Sequence, residues 1–281
     1  MGSCIRRLPF HPKERLGPKS ITWASEMAKH NSGESYTALN SVPISAWKQL
    51  ASKKIYFGHQ SVEANIIEGV EELIKENKQI NLNIIRTTPS MFTLSTPVFA
   101  HSEIGKNGDP RSKVEEFVRI IETRGKAEAD LAFFKFCYAD FDHVTDVNRL
   151  FEYYRTTMSR LKRLHPGTTF VYVTVPLVSM DEGFKDWAKR LLGRPIKDPY
   201  ANVKRNQFNY LLRTELEGKE LIFDLARIES TFPDGSRASF TNAGKTYDAL
   251  VPDYTYDGGH LNEAGRRMVA EQFLVFLATS L

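Results

Sequence analysis

The chain has 281 residues, 41% hydrophobic and 26% charged, which excludes fibrous and disordered classes and suits a globular domain with a sizeable core. Lys and Arg total 38 against 34 Asp and Glu, a formal charge of +4. The basic residues are scattered, with Arg6-Arg7, Lys53-Lys54 and Arg266-Arg267 as the densest pairs, so neither the patch nor the motif that reads nucleic acid is present, and no stretch has the length of a membrane span.

Residues 1–44 are polar, with scattered Pro, Gly and Ser, and read as an extended N-terminal arm ahead of one domain over 45–281. Residues 1–7 carry charges with no apolar run behind them, so no secretory signal is read there. Arg6 stands where a myristoylation motif needs Ser or Thr. A cytoplasmic location is expected for the chain as written, and export only if its N-terminus is incomplete. Of the two cysteines, Cys4 lies in the polar arm and Cys137 in an apolar run. Neither a disulfide framework nor a zinc site is indicated, and Cys137 reads as a buried thiol.

From there the pattern alternates. A short helix over 44–51 places Trp47 and Leu50 on one face. Residues 54–57 form an apolar run ending at Gly58, a first strand, and 61–75 follow with helical spacing at Val62, Ile66, Ile67, Val70, Leu73 and Ile74. Residues 82–87 read as a second strand. Asp109-Pro110 opens a helix whose stripe is Val114, Phe117, Val118 and Ile121. Residues 131–137 are nearly all apolar, as in a parallel strand buried on both faces. A helix over 147–164 stops at Pro166-Gly167, and a β-branched strand over 168–175 closes at Pro176. A helix (202–216), a strand (221–225) and a last amphipathic helix (263–277) complete the chain. Segments 88–108 and 226–260 read as long connections, where function often resides. The alternation predicts a three-layer α/β sandwich around a five-stranded, parallel, flavodoxin-like sheet.

Ligands of such sheets bind beyond the carboxyl ends of the strands. The first strand runs into His59-Gln60-Ser61. A serine where strand turns into helix can be an N-cap, a nucleophile or both, and its backbone N–H can serve an oxyanion hole. Near the other end stands Asp257-Gly258-Gly259-His260. A carboxylate three residues before a histidine can hold one ring nitrogen and leave the other to deprotonate a serine. Asp140, Asp142, His143 and Asp146 form a further polar cluster without a recognised metal spacing, which reads as a loop capping the next helix through Asp146.

Together the two end segments resemble the SGNH/GDSL hydrolases, over about residues 52–281. Residues 170–177, 202–212 and 223–225 agree with that family's late core strand, following helix and final strand. The resemblance implies a triad of Ser61, Asp257 and His260, an acyl-enzyme on Ser61, small acyl esters as substrates, acetyl esters of carbohydrates among them, and no cofactor or metal. It departs at the serine, where His59-Gln60 replace the usual Gly-Asp, as in the His-His-Ser variants of some SGNH-like bacterial proteins. His59 is there to contact substrate or to pack. The family's oxyanion glycine falls on Gly105 or Gly108. Its oxyanion asparagine has no match after the third strand, so that Asn107 or Tyr138 substitutes or the hole is weaker. An esterase, an O-acyltransferase with the same triad, and a non-catalytic binding module on the same fold are the three readings. The sequence leaves the oligomeric state open.

Overall fold

The computed structural model describes residues 36–60, 64–88, 94, 96–123, 129–180 and 198–280. Six parallel strands form the central sheet: β1 (Lys54–His59), β2 (Ile84–Arg86), β3 (Val98–Glu103), β4 (Leu131–Phe134), β5 (Thr169–Val173) and β6 (Leu221–Phe223), in the order β2-β3-β1-β4-β5-β6. Helices cover both faces. On one lie α1 (Ile44–Ala51), α2 (Ala64–Glu76) and α7 (Glu263–Thr279); on the other lie α3 (Pro110–Glu122), α4 (Val147–Leu164) and α5 (Pro199–Leu216). The expected three-layer α/β sandwich is what the chain builds.

The core follows the pleat. Ile55 and Phe57, Leu131 and Phe133, and Val171 and Val173 face α2 and α7, while Tyr56, Ala132, Phe134, Phe170 and Tyr172 face α3, α4 and α5. Phe273 of α7 sits among the rings of Phe57, Phe99, Phe133 and Phe223, at centroid distances of 5.9, 6.1, 5.8 and 5.0 Å. Gly69 lets α2 lie flush on α7, because a Cβ there would come within 2.8 Å of Ala270 and 2.9 Å of the Arg266 carbonyl.

Three expectations are corrected. The sheet has six strands rather than five, and the neighbour of β1 is β3, inside the segment read as a loop over 88–108. The expected second strand shrinks to the three-residue edge strand β2. β3 escapes the sequence reading because half of it is polar. His101 and Ser102 are buried, and each is bonded to β1, Ser102 to the Tyr56 hydroxyl at 2.7 Å and His101 to His59. Without β2, the order β3-β1-β4-β5-β6 is the flavodoxin-like one. The segment 226–260 is also more regular than expected. It contains the short helix α6 (Leu225–Glu229) and an antiparallel hairpin, β7 (Ser239–Asn242) and β8 (Lys245–Asp248), turned at Ala243 and Gly244, both at positive φ. Finally, residues 36–43, read as the end of an arm, lie on α7. Leu39 is buried, its N–H donates to Glu271, and Gln272 donates to the Thr37 carbonyl.

Candidate active site

Asp257 and His260 occupy a short loop at the start of α7. Nδ1 of His260 lies 2.5 Å from Oδ2 of Asp257, while Oδ1 accepts the backbone N–H groups of Gly259 and His260 at 2.9 and 2.8 Å. The carboxylate therefore holds both the imidazole and the turn that carries it. The loop is fixed on every side. Ser179 donates to the Gly258 carbonyl, Thr255 donates to the His260 carbonyl and accepts from the Gly258 N–H, and Asn262 caps α7 by accepting from Gly265. Gly258 takes φ +94°, a conformation that side chains resist. Burial pushes the Asp257 carboxyl up, but the two N–H donors and the imidazole outweigh it and hold the group below its ordinary range. Asp257 is thus an anion that keeps the proton on Nδ1, which leaves Nε2 as the basic nitrogen.

Two aromatic rings flank this imidazole. Tyr138, in the turn after β4, meets it edge-on at 5.8 Å, and the exposed Tyr256 lies nearly parallel to it at 5.9 Å. A Cβ at Gly259 would come within 2.9 Å of the Tyr138 ring. Burial, with Cys137 and Asp257 nearby, pushes the Tyr138 hydroxyl up to about 12, so it remains protonated. Arg205 anchors the Tyr138 turn by donating to the carbonyls of Tyr138 and Phe141, at 2.9 and 3.2 Å.

Ser61 falls outside the described residues. The chain on its N-terminal side is described. Lys135 and Ile104 donate to the Gly58 and His59 carbonyls, and Gln60 donates through Nε2 to the Gly105 carbonyl at 2.7 Å. The residue before the serine is thereby tied to the loop after β3. His59 does not face solvent. It is 4% exposed, and its Nε2 lies 2.8 Å from Nδ1 of His101. Burial, then His101, Lys135 and Arg86, pushes the His59 imidazole down to about 3, and burial with Arg86 pushes His101 down to about 4.

No family model and no curated protein matches this chain in sequence. Solved structures of similar fold include a protein from Streptococcus pneumonia provisionally described as a platelet activating factor (15% identity, 83% of this chain and 90% of that one, TM-score 0.48). A catalytic mutant of an acetylxylan esterase from Geobacillus stearothermophilus is another (12%, 80% and 94%, 0.45), as is the periplasmic domain of a lipopolysaccharide acetyltransferase from Salmonella ser. Paratyphi A (9%, 80% and 84%, 0.43).

The two glycines expected to donate to an oxyanion have their N–H groups engaged inside the protein. Gly105, at φ +59°, donates to Glu116 at 2.7 Å, and Gly108 donates to Asp140 at 3.0 Å. Asn107, between them, accepts the ammonium of Lys113 on Oδ1 at 3.0 Å. Lys113 is fully buried and pairs with Asp140 at 2.6 Å, and Asp140 also accepts the Cys137 N–H at 2.7 Å. The polar cluster noted in the sequence is dispersed. Asp140 faces Lys113, Asp142 caps its own turn, His143 lies 3.4 Å from Asp198, and Asp146 caps α4. Among the described residues no group of His, Cys, Asp and Glu is arranged to hold a metal.

Sequence reasoning missed Lys113, His101, Lys135 and Glu229. Burial pulls the Lys135 ammonium down to about 8 and pushes the Glu229 carboxyl up to about 8, and the Glu229 carboxylate also accepts the Leu177 N–H. For Lys113 a signal was present. It stands four residues before Phe117 and seven before Ile120, on the buried stripe of α3, where a lysine needs a partner.

Proposed function

We propose that this chain is a serine esterase acting on small acyl esters, acetyl groups on carbohydrate hydroxyls being the substrate class that the family resemblance implies. His260 Nε2 takes the proton from Ser61 Oγ as that oxygen attacks the ester carbonyl. The tetrahedral oxyanion forms, the C–O bond to the alcohol breaks, and His260 returns the proton to the leaving oxygen. Water then repeats the sequence on the acyl-enzyme, releasing the acid and restoring Ser61. Asp257 keeps Nδ1 protonated and stabilises the imidazolium.

The observation that carries this reading is the Asp257–His260 pair: a carboxylate on Nδ1 at 2.5 Å, in a loop whose backbone N–H groups are bonded to the same carboxylate. The engagement of the Gly105 and Gly108 amides favours the alternative of a binding module that retains the fold without turnover. Hydrolysis of p-nitrophenyl acetate, measured for the parent and for Ser61→Ala, separates the two. Turnover lost in the variant supports the esterase. A folded parent with no turnover rules it out in favour of binding alone. Product analysis with competing alcohols then distinguishes transfer from hydrolysis.

A further inference from the structure

A histidine that completes acylation returns a proton to the leaving oxygen, so the alcohol half of the ester must come within about 2.6–3.2 Å of His260 Nε2 at that step. The groups that flank the imidazole therefore help to decide which alcohol fits. We infer that Tyr256 is the platform on which this alcohol lies, and that the alcohol is a sugar ring seated by one of its C–H faces; this rests on the esterase reading above and names the residue that selects its leaving group.

One flank of the imidazole is closed. Tyr138 meets it edge-on at 5.8 Å, and the loop backbone is packed on the same ring, since a Cβ at Gly259 would come within 2.9 Å of it. Arg205, 5% exposed, holds that turn through the Tyr138 and Phe141 carbonyls and lies 5.8 Å from the centre of the Tyr138 ring. The other flank is open. Tyr256 lies within 10° of parallel to the imidazole at 5.9 Å, yet it is 62% exposed. Of the large apolar or aromatic side chains left exposed among the described residues, it is the one that lies against His260.

The ring is carried by a backbone that is set before any ligand arrives. On one side of it Thr255 donates to the His260 carbonyl at 2.6 Å, accepts the Gly258 N–H at 2.8 Å and bridges to Leu261. On the other side Asp257 takes the Gly259 and His260 N–H groups and Nδ1 of the imidazole. An aromatic side chain has only two torsions to fix, so a ring on such a backbone loses little freedom when a ligand settles on it.

Exposure decides the occupant. A wholly apolar alcohol calls for an enclosed pocket, and this ring stands in water. A pyranose suits an open surface. The C–H bonds of one face, polarised by the neighbouring oxygens, meet the negative face of the phenol ring, while the hydroxyls at its edge stay hydrated. The ester oxygen at that edge is then the atom presented to His260.

The experiment compares two acetyl esters of primary alcohols, methyl 6-O-acetyl-glucopyranoside and ethyl acetate, by kcat/KM. Both give the same acetyl-enzyme, so the ratio of the two values belongs to the alcohol half. The parent should prefer the sugar ester by about 10-fold or more, and Tyr256→Ala should lower that preference by about 10-fold. Tyr256→Phe keeps the ring and should keep the preference. Both variants should melt with the parent, because the side chain is exposed. A preference that survives Tyr256→Ala would overturn the inference. So would a loss equal on both esters, which would assign the ring to His260 rather than to the alcohol, or a loss in Tyr256→Phe as large as in Tyr256→Ala, which would assign the effect to the hydroxyl. A folded parent with neither turnover of these esters nor fluorophosphonate labelling overturns the esterase reading and this inference with it, whereas an active parent without preference for the sugar ester overturns this inference alone.

Discussion

The loop of Asp257 and His260 and the junction of Lys113 and Asp140 both lie at the carboxyl ends of the strands, and both are organised by a carboxylate. The first joins residues three apart, and its side chains are 42% and 30% exposed; the second joins residues 27 apart, with both side chains fully buried. Water screens the first pair, so little folding energy depends on it. The second stands in a low-dielectric interior, where removing one partner strands the other as an uncompensated charge. The chemistry is assigned to a pair whose loss the fold can absorb, and the geometry is held by a pair whose halves the fold cannot lose separately.

The sharpest way to break that contrast is to delete the exposed pair. His260→Ala should lower kcat by about 10⁴-fold or more, and Asp257→Asn by about 10³- to 10⁴-fold, while melting temperatures stay within about 2 °C of the parent because an exposed pair adds little stability. Thermal melts alongside steady-state assays check both halves; a melting point lowered by 10 °C would show that this loop also supports the fold. The converse variant is Asp140→Ala. It should destabilise the protein by about 3–5 kcal/mol, lowering the melting temperature by roughly 10 °C. Lys113→Met combined with Asp140→Leu should recover most of that stability. Equal melting points for the single and the double variant would contradict the assignment of charge burial as the cause.

A smaller effect belongs to the buried His59–His101 pair. Both imidazoles titrate lower in the fold than unfolded, at about 3 and about 4. The unfolded chain therefore binds the extra protons first. This contribution is fully present above the unfolded histidine range, near pH 6.5, and is lost as the pH falls toward 4. Denaturant titrations at pH 7 and pH 5 should differ by about 3–4 kcal/mol from this source. The difference should shrink when both histidines are replaced by leucine, and an unchanged difference would assign the acid sensitivity to other groups.

The same contrast explains what was legible in the sequence. Asp257 and His260 could be read because their spacing and the two glycines between them are local, and a tight turn brings such residues together whatever the rest of the fold does. The alternating helices and inner strands could be read because burial on both faces demands long apolar runs, as in residues 131–134. β3 could not, because His101 and Ser102 satisfy their polar groups on a neighbouring strand, 42 and 46 residues away. Nor could Lys113, whose partner lies across another loop, or the inward turn of His59, which depends on the pleat of β1 against β3. The hairpin β7–β8 was lost for the opposite reason: its strands are half-buried or exposed and lack an apolar pattern.

The central claim is that Ser61 is a nucleophile activated by His260. It is tested most directly by treating the folded parent and His260→Ala with a fluorophosphonate probe and locating the label by peptide mass spectrometry. The account predicts a single modified residue, Ser61, in the parent and almost no label in the variant. A parent that takes no label, or one labelled equally well without His260, would contradict it.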